Sequence, residues 1–404
     1  MTTAVLTDRL SSRLAPASAV AATALNAAAR FWFVVTVAGQ LVFAFAVGSF
    51  YAAAAVRGNF LTWNRFMSHG YVPGDTVGNV AVVVHLLAAV LIMISGALQL
   101  VPQIRQRAPS LHRWNGRAYL LTAFATSVAG LYMLWVRGTP GDLSQKLGST
   151  LGAALIISCA TMALRSALAR DFQTHRRWAL RLFLVVSAGW FFRIAFALTL
   201  LVFKGAVGFD PSTFSGPLLT ALSFGQTLVP LALLELYLRA QERPNAAGRI
   251  AMATGLLALT VATGVGIFAA TMVFWLPQVK AAYDGRKSIA ETLSATIASR
   301  GVDAALQQYH ELKAAAPTTY NFAERELNGL GYTLLHSHQL QDAIRIFQLN
   351  VEVYPQSSNV HDSLGEAYLN AGDKARAVAS YRKAVELNPK NGNAVQILQR
   401  LNAP

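Results

Sequence analysis

The chain has 404 residues, 54% of them hydrophobic and only 13% charged, with a mean hydropathy of +0.40. Soluble domains carry about 25% charged residues, so this balance excludes an ordinary water-soluble enzyme. The net charge of +15 is uneven: residues 1–279 hold 21 basic and 7 acidic side chains, residues 280–404 hold 13 and 12. The lone cysteine, Cys159, excludes an intrachain disulfide framework and a Cys-based metal site.

In chain order, an N-terminal arm over residues 1–30 precedes seven apolar segments, near 31–53, 79–101, 117–136, 147–167, 178–203, 216–238 and 250–276. Each approaches or exceeds the roughly 20 residues that cross a bilayer as a helix, and the first is too long and too far from the start for a cleaved signal peptide. Gly225, Pro230, Gly264 and Gly266 fall inside the sixth and seventh segments, where breaks are expected. The arm and the second, fourth and sixth connections hold 15 Lys and Arg, against 5 in the first, third and fifth. By the positive-inside rule the arm faces the cytoplasm, and after seven crossings the C-terminal part lies outside it. The basic excess is therefore a topology signal, and no nucleic-acid partner is expected. The predicted fold class is all-α: a transmembrane bundle over residues 31–277, a linker over 278–290, and a soluble helical-repeat domain over 291–404.

That last domain is read from a period. Leu330, Gly331, Leu334, Ala343, Phe347 and Pro355 recur 34 residues later as Leu364, Gly365, Tyr368, Ala377, Tyr381 and Pro389. Gly331, Gly365, Ala343 and Ala377 allow close helix approach, Phe347 and Tyr381 fill the core between repeats, and Pro355 and Pro389 end the second helix of each pair. The pattern resembles the tetratricopeptide repeat. Asn350 departs from it, standing where the family has a small residue such as Ala384. A stretched half-unit runs through Ala305, Tyr309 and Pro317, and residues 391–401 are expected to cap the stack. The wording around Leu327–Tyr332 and Asn359–Tyr368 is also similar to the repeat tails behind exported β-lactamase-like serine hydrolases. The resemblance implies an extracytoplasmic domain that binds a protein or peptide. Ser380 and Lys383 form a Ser-x-x-Lys on a helix whose Tyr381 must face the core, so they match a hydrolase motif by chance.

In the membrane part, His85, Gly96, Gln99, Pro102 and Arg105 lead to His112-Arg113-Trp114-Asn115-Gly116-Arg117-Ala118-Tyr119, then to His175-Arg176-Arg177-Trp178, Arg181 and Arg193. Residues about 80–200 resemble the DUF2306 family of predicted bacterial membrane proteins, which implies a membrane domain and no chemistry. The residues themselves offer two sites. At the cytoplasmic face, His112 with Arg113 and His175 with Arg176 could ligate a haem b or hold a quinone or an anionic headgroup; alternatively they are interfacial anchors. A second haem would need His85 with His69, and His69 sits in a loop. In the outer half, His85, Arg193, Gln226 and Gln40 could hold an anionic or amphipathic small molecule, since an intramembrane arginine should face an interior or water-filled cavity. Asp75 or Asp210, reaching in, would neutralise Arg193 instead. No catalytic residue and no metal site is expected, and the reading favours a non-enzyme that binds membrane lipid and a repeat partner.

Overall fold

The computed structural model describes residues 2–401 except 59, 68, 69, 73, 206, 211–213, 244 and 390; for residues 2–17, Leu61, Arg65 and His336 it describes the backbone alone. The chain forms two compact units, one of residues 1–58 and 66–283, the other of residues 59–65 and 284–404.

The first unit is helical. It comprises α1 (Thr2–Val56), α2 (Thr76–Leu100), the short α3 (Pro102–Arg107), α4 (Pro109–Tyr132), α5 (Leu143–Leu168), α6 (Phe172–Val186), α7 (Ala188–Phe203), α8 (Pro217–Glu242), α9 (Ala246–Ala270) and α10 (Leu276–Tyr283). Six helical segments are long and apolar enough to cross a membrane, and α6 with α7 makes a seventh bent by 50°. Large apolar side chains such as Leu87, Leu91, Leu121, Phe124, Val261 and Phe268 are exposed on these helices, as expected of surfaces that face lipid rather than water. Polar residues set the starts: Asp75, Asp142, Asp171 and Asn245 each accept a backbone N–H from the first turn of the helix that follows, satisfying donors that the helix cannot.

Small residues set the packing. A Cβ at Gly39 of α1 would lie 2.7 Å from the Trp190 ring, and Gly266 of α9 lies against Ile194 of α7, so α1, α7 and α9 approach closely, as membrane helices do where side chains are missing. Neither Pro230 nor the glycines break their helices: α8 runs through Pro230, and α9 through Gly264 and Gly266. The break falls instead at Ser187, between α6 and α7, where the Gln40 amide donates to Ser187 Oγ at 2.9 Å and that hydroxyl donates to Phe183 O at 2.7 Å. Beyond α9 a π-helical turn, Thr271–Trp275, precedes α10. It lets the helix pass Pro277, which has no N–H to give, so the expected linker over 278–290 is helical as far as Tyr283. Arg57 at the end of α1 ties off this end by donating to Ala282 O at 2.9 Å.

The second unit holds three antiparallel helix pairs and a last helix: α11 (Ile289–Arg300) with α12 (Val302–Ala315), α13 (Glu324–His336) with α14 (Leu340–Val353), α15 (Ser358–Asn370) with α16 (Lys374–Leu387), then α17 (Gly392–Leu401). Two short strands, β1 (Lys287–Ser288) and β2 (Tyr320–Asn321), pair in parallel with Lys287 opposite Tyr320. The repeat positions are the core: Tyr309, Ala343, Phe347, Ala377, Tyr381 and Ala384 have no exposed surface. Gly331 lets the Phe347 ring stand 2.6 Å from where a Cβ would be. Asn350 is also fully buried, and its amide donates to Glu324 O at 3.2 Å, so the larger side chain ties α14 to the start of α13. The buried Glu326 accepts from Ser288 Oγ at 2.6 Å and from Asn321 Nδ2 at 3.2 Å, joining both strands to α13. Thr62, in the turn between α1 and α2, donates to Glu291 at 2.5 Å, which accounts for residues 59–65 belonging to this unit.

Candidate functional sites

At the Arg-rich end of the bundle, α4 begins beside the end of α2. Asn115 Nδ2 donates to Ser95 O at 2.9 Å and to Gln99 Oε1 at 2.8 Å, and the Gln99 amide nitrogen stands 3.4 Å from His112 Nε2. His112 Nδ1 and Ser95 Oγ are buried and have no hydrogen-bond partner. His112 lies within electrostatic range of His175, Arg105 and Arg113. His175 Nδ1–H donates to Ala163 O at 2.8 Å, which leaves its Nε2 as the acceptor face. The arginines are engaged elsewhere. Arg113 donates to Ser110 Oγ at 3.2 Å, Arg176 acts on Tyr237 of α8, Arg177 pairs with Glu242, and Arg181 pairs with Glu235 at 2.6 Å. Arg117 and Arg181 lie 4.7 Å over the rings of Trp114 and Trp178, as belt arginines do on interfacial aromatics. Next to Asn115, an open groove of about 230 Å³ between α2 and α4 is lined by Leu91, Ile94, Ser95, Leu98, Asn115, Ala118 and Thr122.

In the other half, Arg193 lies on α7 six residues past the bend. Its Nη1 donates to Gly189 O at 2.7 Å and its guanidinium lies 5.4 Å over the Phe43 ring. Tyr51 of α1 and His85 of α2 are within electrostatic range, and the side chain remains exposed. Among the described residues no carboxylate pairs with it. Asp75 does not reach inward: it caps α2 and stands 3.7 Å from Arg137, which also donates to Asn79 Oδ1 at 2.8 Å. Asp210 bridges to the backbone of Ser215. His85 Nδ1 stands 3.4 Å from Thr126 O. Of the other two expected ligands, Gln40 donates its amide to Ser187 Oγ and Gln226 donates its amide to Ser223 O, each at 2.9 Å. The sequence reading thus placed His85 and Arg193 together but did not find Tyr51, because a tyrosine in an apolar run carries no mark of its partner. His69 lies outside the described residues.

The third site was not singled out in the sequence. It runs across α13, α15 and α17, the first helices of two successive pairs and the closing helix, at positions 31 or 34 residues apart. Tyr332 Oη donates to Glu366 at 2.8 Å and stands 3.2 Å from Ser363 Oγ. Asn393 Nδ2 donates to both carboxylate oxygens of Asp362, at 3.1 and 3.0 Å. Asp362 and Glu366 are one helical turn apart, half-buried, and in no ion pair among the described residues. Burial, with the Glu366 charge adding and the Asn393 amide opposing, pushes the Asp362 carboxyl up to about 6. The signal was present in the 34-residue register, which aligns Asn328 with Asp362 and Tyr332 with Glu366.

Residues 82–223 match the family described as predicted membrane protein (DUF2306). Residues 358–391, the α15–α16 pair, match the tetratricopeptide repeat. No curated protein matches the chain. The protein is therefore a membrane domain joined to a tetratricopeptide-repeat unit; the DUF2306 match covers α2 through the start of α8 and includes His85, His112, His175 and Arg193.

Proposed function

We propose that the chain is a multi-pass protein of a bacterial cytoplasmic membrane whose repeat unit lies outside the cytoplasm and binds a protein or peptide partner. The observation that carries this reading is the repeat unit itself: three stacked pairs and a closing helix, with polar side chains bridging its first helices. Such stacks offer extended surfaces that bind other chains. The connection charges support the orientation. The make-up of the units supports seven crossings. Residues 59–65, which follow α1, share a unit with residues 284–404. Two segments on one side of a membrane are separated by an even number of crossings, and counting α6–α7 as one gives six between them. Removing residues 284–404 tests the reading: the shortened protein should still insert in the membrane but lose every partner that co-purifies with the full chain. A bundle that keeps those partners would refute it.

In the bundle, the surroundings of Arg193, His85 and Tyr51 favour a site for an anionic or amphipathic small molecule, because an exposed cation without a carboxylate is complementary to a negative group. A second reading of the other end, as a haem or quinone site, is favoured by one feature. His175 donates one ring nitrogen to a backbone carbonyl, the arrangement that fixes the tautomer of a ligating histidine, while His112 keeps an unpartnered nitrogen near it. A Soret band in the purified protein, lost in His112→Ala and His175→Ala, is the expected result for haem. A colourless protein prepared with haem supplied removes that half of the reading.

A further inference from the structure

The strip across α13, α15 and α17 is short of donors. Asp362 and Glu366 are half-buried carboxylates that form no ion pair among the described residues. Asn328 Oδ1, one register step before Asp362, is buried without a partner among the described residues. Tyr381, which is fully buried behind the strip, has an unpartnered hydroxyl in electrostatic range of both carboxylates. Arg400, one register step beyond Glu366, forms no ion pair with it among the described residues. Buried polar groups in a finished core are nearly always paired, and half-buried carboxylates without a counter-charge hold an uncompensated desolvation penalty. What would complete these groups is a ligand that brings donors and positive charge and no acceptor. Lysine and arginine side chains are the protein groups that meet that description.

We propose that Asp362 and Glu366, with Asn328 beside them, receive a lysine or arginine side chain of an extended partner segment, so that the repeat unit selects basic partners. The inference rests on the repeat unit being the partner-binding part. The chemistry is charge-assisted hydrogen bonding: each carboxylate keeps lone pairs beyond those used by Asn393 and Tyr332, and an ammonium or guanidinium seated between them bonds to both. Acidic partners meet like charge and are turned away, which gives specificity as much as affinity.

The test uses the full-length protein in detergent and three fluorescein-labelled octapeptides: alternating Lys-Ala, alternating Glu-Ala and alternating Ser-Ala. Fluorescence anisotropy should show the Lys peptide binding and the other two at least about tenfold weaker, a difference of one charge-assisted contact. Asp362→Asn with Glu366→Gln should weaken the Lys peptide by about tenfold or more. Asp303→Asn, which removes a carboxylate paired with Arg345 elsewhere on the unit, should leave it unchanged. Glu366→Gln alone retains an acceptor for Tyr332 and guards against misfolding of the double variant; it should give part of the loss with an unchanged circular dichroism spectrum. Equal binding of the Lys and Glu peptides overturns the proposal, as does full affinity in the double variant, or stabilisation by Mg²⁺ alone with no discrimination among peptides. If the Ser or Glu peptide binds tightly to the repeat face, the charge preference fails while partner binding stands. If residues 284–404 prove dispensable for partners, partner binding itself fails.

Discussion

At the scale of single residues, the molecule keeps charges where each carries a penalty. An arginine within a bilayer span costs at least about 2.5 kcal/mol, and Arg193 sits on α7 held by Gly189 O and the Phe43 ring without a carboxylate. Arg193→Met should therefore raise the unfolding midpoint of the bundle in mild detergent, and it should abolish any stabilisation that an added anionic amphipath gives the parent protein. A lowered midpoint would mean that the guanidinium is a packing element. Asp362 carries a different penalty, which pH reveals. Burial lifts its carboxyl from 3.8 to about 6, and the groups facing it are Glu366 on its own helix, Tyr332, Tyr381 and Asn393. Between those two values the folded chain holds a proton that the unfolded chain releases, so stability is highest at the acid end, falls as pH rises through the window and is flat above it. The lowered carboxyls, Asp284 and Asp373, act below the window and with opposite sign. Urea unfolding of the repeat unit within the full chain should have a midpoint that drops from pH 4.5 to pH 6.5, and Asp362→Asn should flatten that slope. An unchanged slope would show Asp362 to be well solvated.

At the scale of elements, glycines and long-range pairs decide the packing. Gly331→Val would place side-chain atoms into the Phe347 ring, which already stands 2.6 Å from the missing Cβ. Overpacking of that kind destabilises by about 1–3 kcal/mol, so α13 and α14 should lose protection in hydrogen exchange while the bundle keeps its own. The elements themselves were legible in the sequence for a physical reason. Runs of Leu, Val and Ala long enough to cross a bilayer, and a 34-residue recurrence of glycine, alanine and aromatics, are local signals. The bend at Ser187 was not legible, and the bond that Ser187 accepts there comes from Gln40, 147 residues away. Nor was the occupation of Asp75 by Arg137, across two helices. Pro230 misled because a proline inside a membrane helix can be accommodated. Asn350 looked like a flaw in the repeat and is a tie between α14 and α13. Of the candidate sites, the groups around His112 and Arg193 were expected from shared depth alone, which does not reveal Tyr51; the acidic strip depended on which faces of α13, α15 and α17 meet.

At the scale of the whole molecule, the basic excess resolves into connections along a bundle, followed by a nearly neutral repeat unit. The membership of residues 59–65 in that unit supports an even number of crossings between α1 and the repeats. In the orientation proposed above, the N-terminal arm and the repeat unit lie on opposite sides. The most direct measurement is labelling by a membrane-impermeant maleimide in intact spheroplasts. The chain's single cysteine, Cys159, is buried and can be replaced by serine. Gln396→Cys, on the exposed side of α17, should label before lysis, whereas Gln173→Cys, in the Arg-rich fourth connection, should label only after it. Protection of Gln396→Cys until lysis, or ready labelling of Gln173→Cys in intact cells, would contradict a repeat unit held outside the cytoplasm.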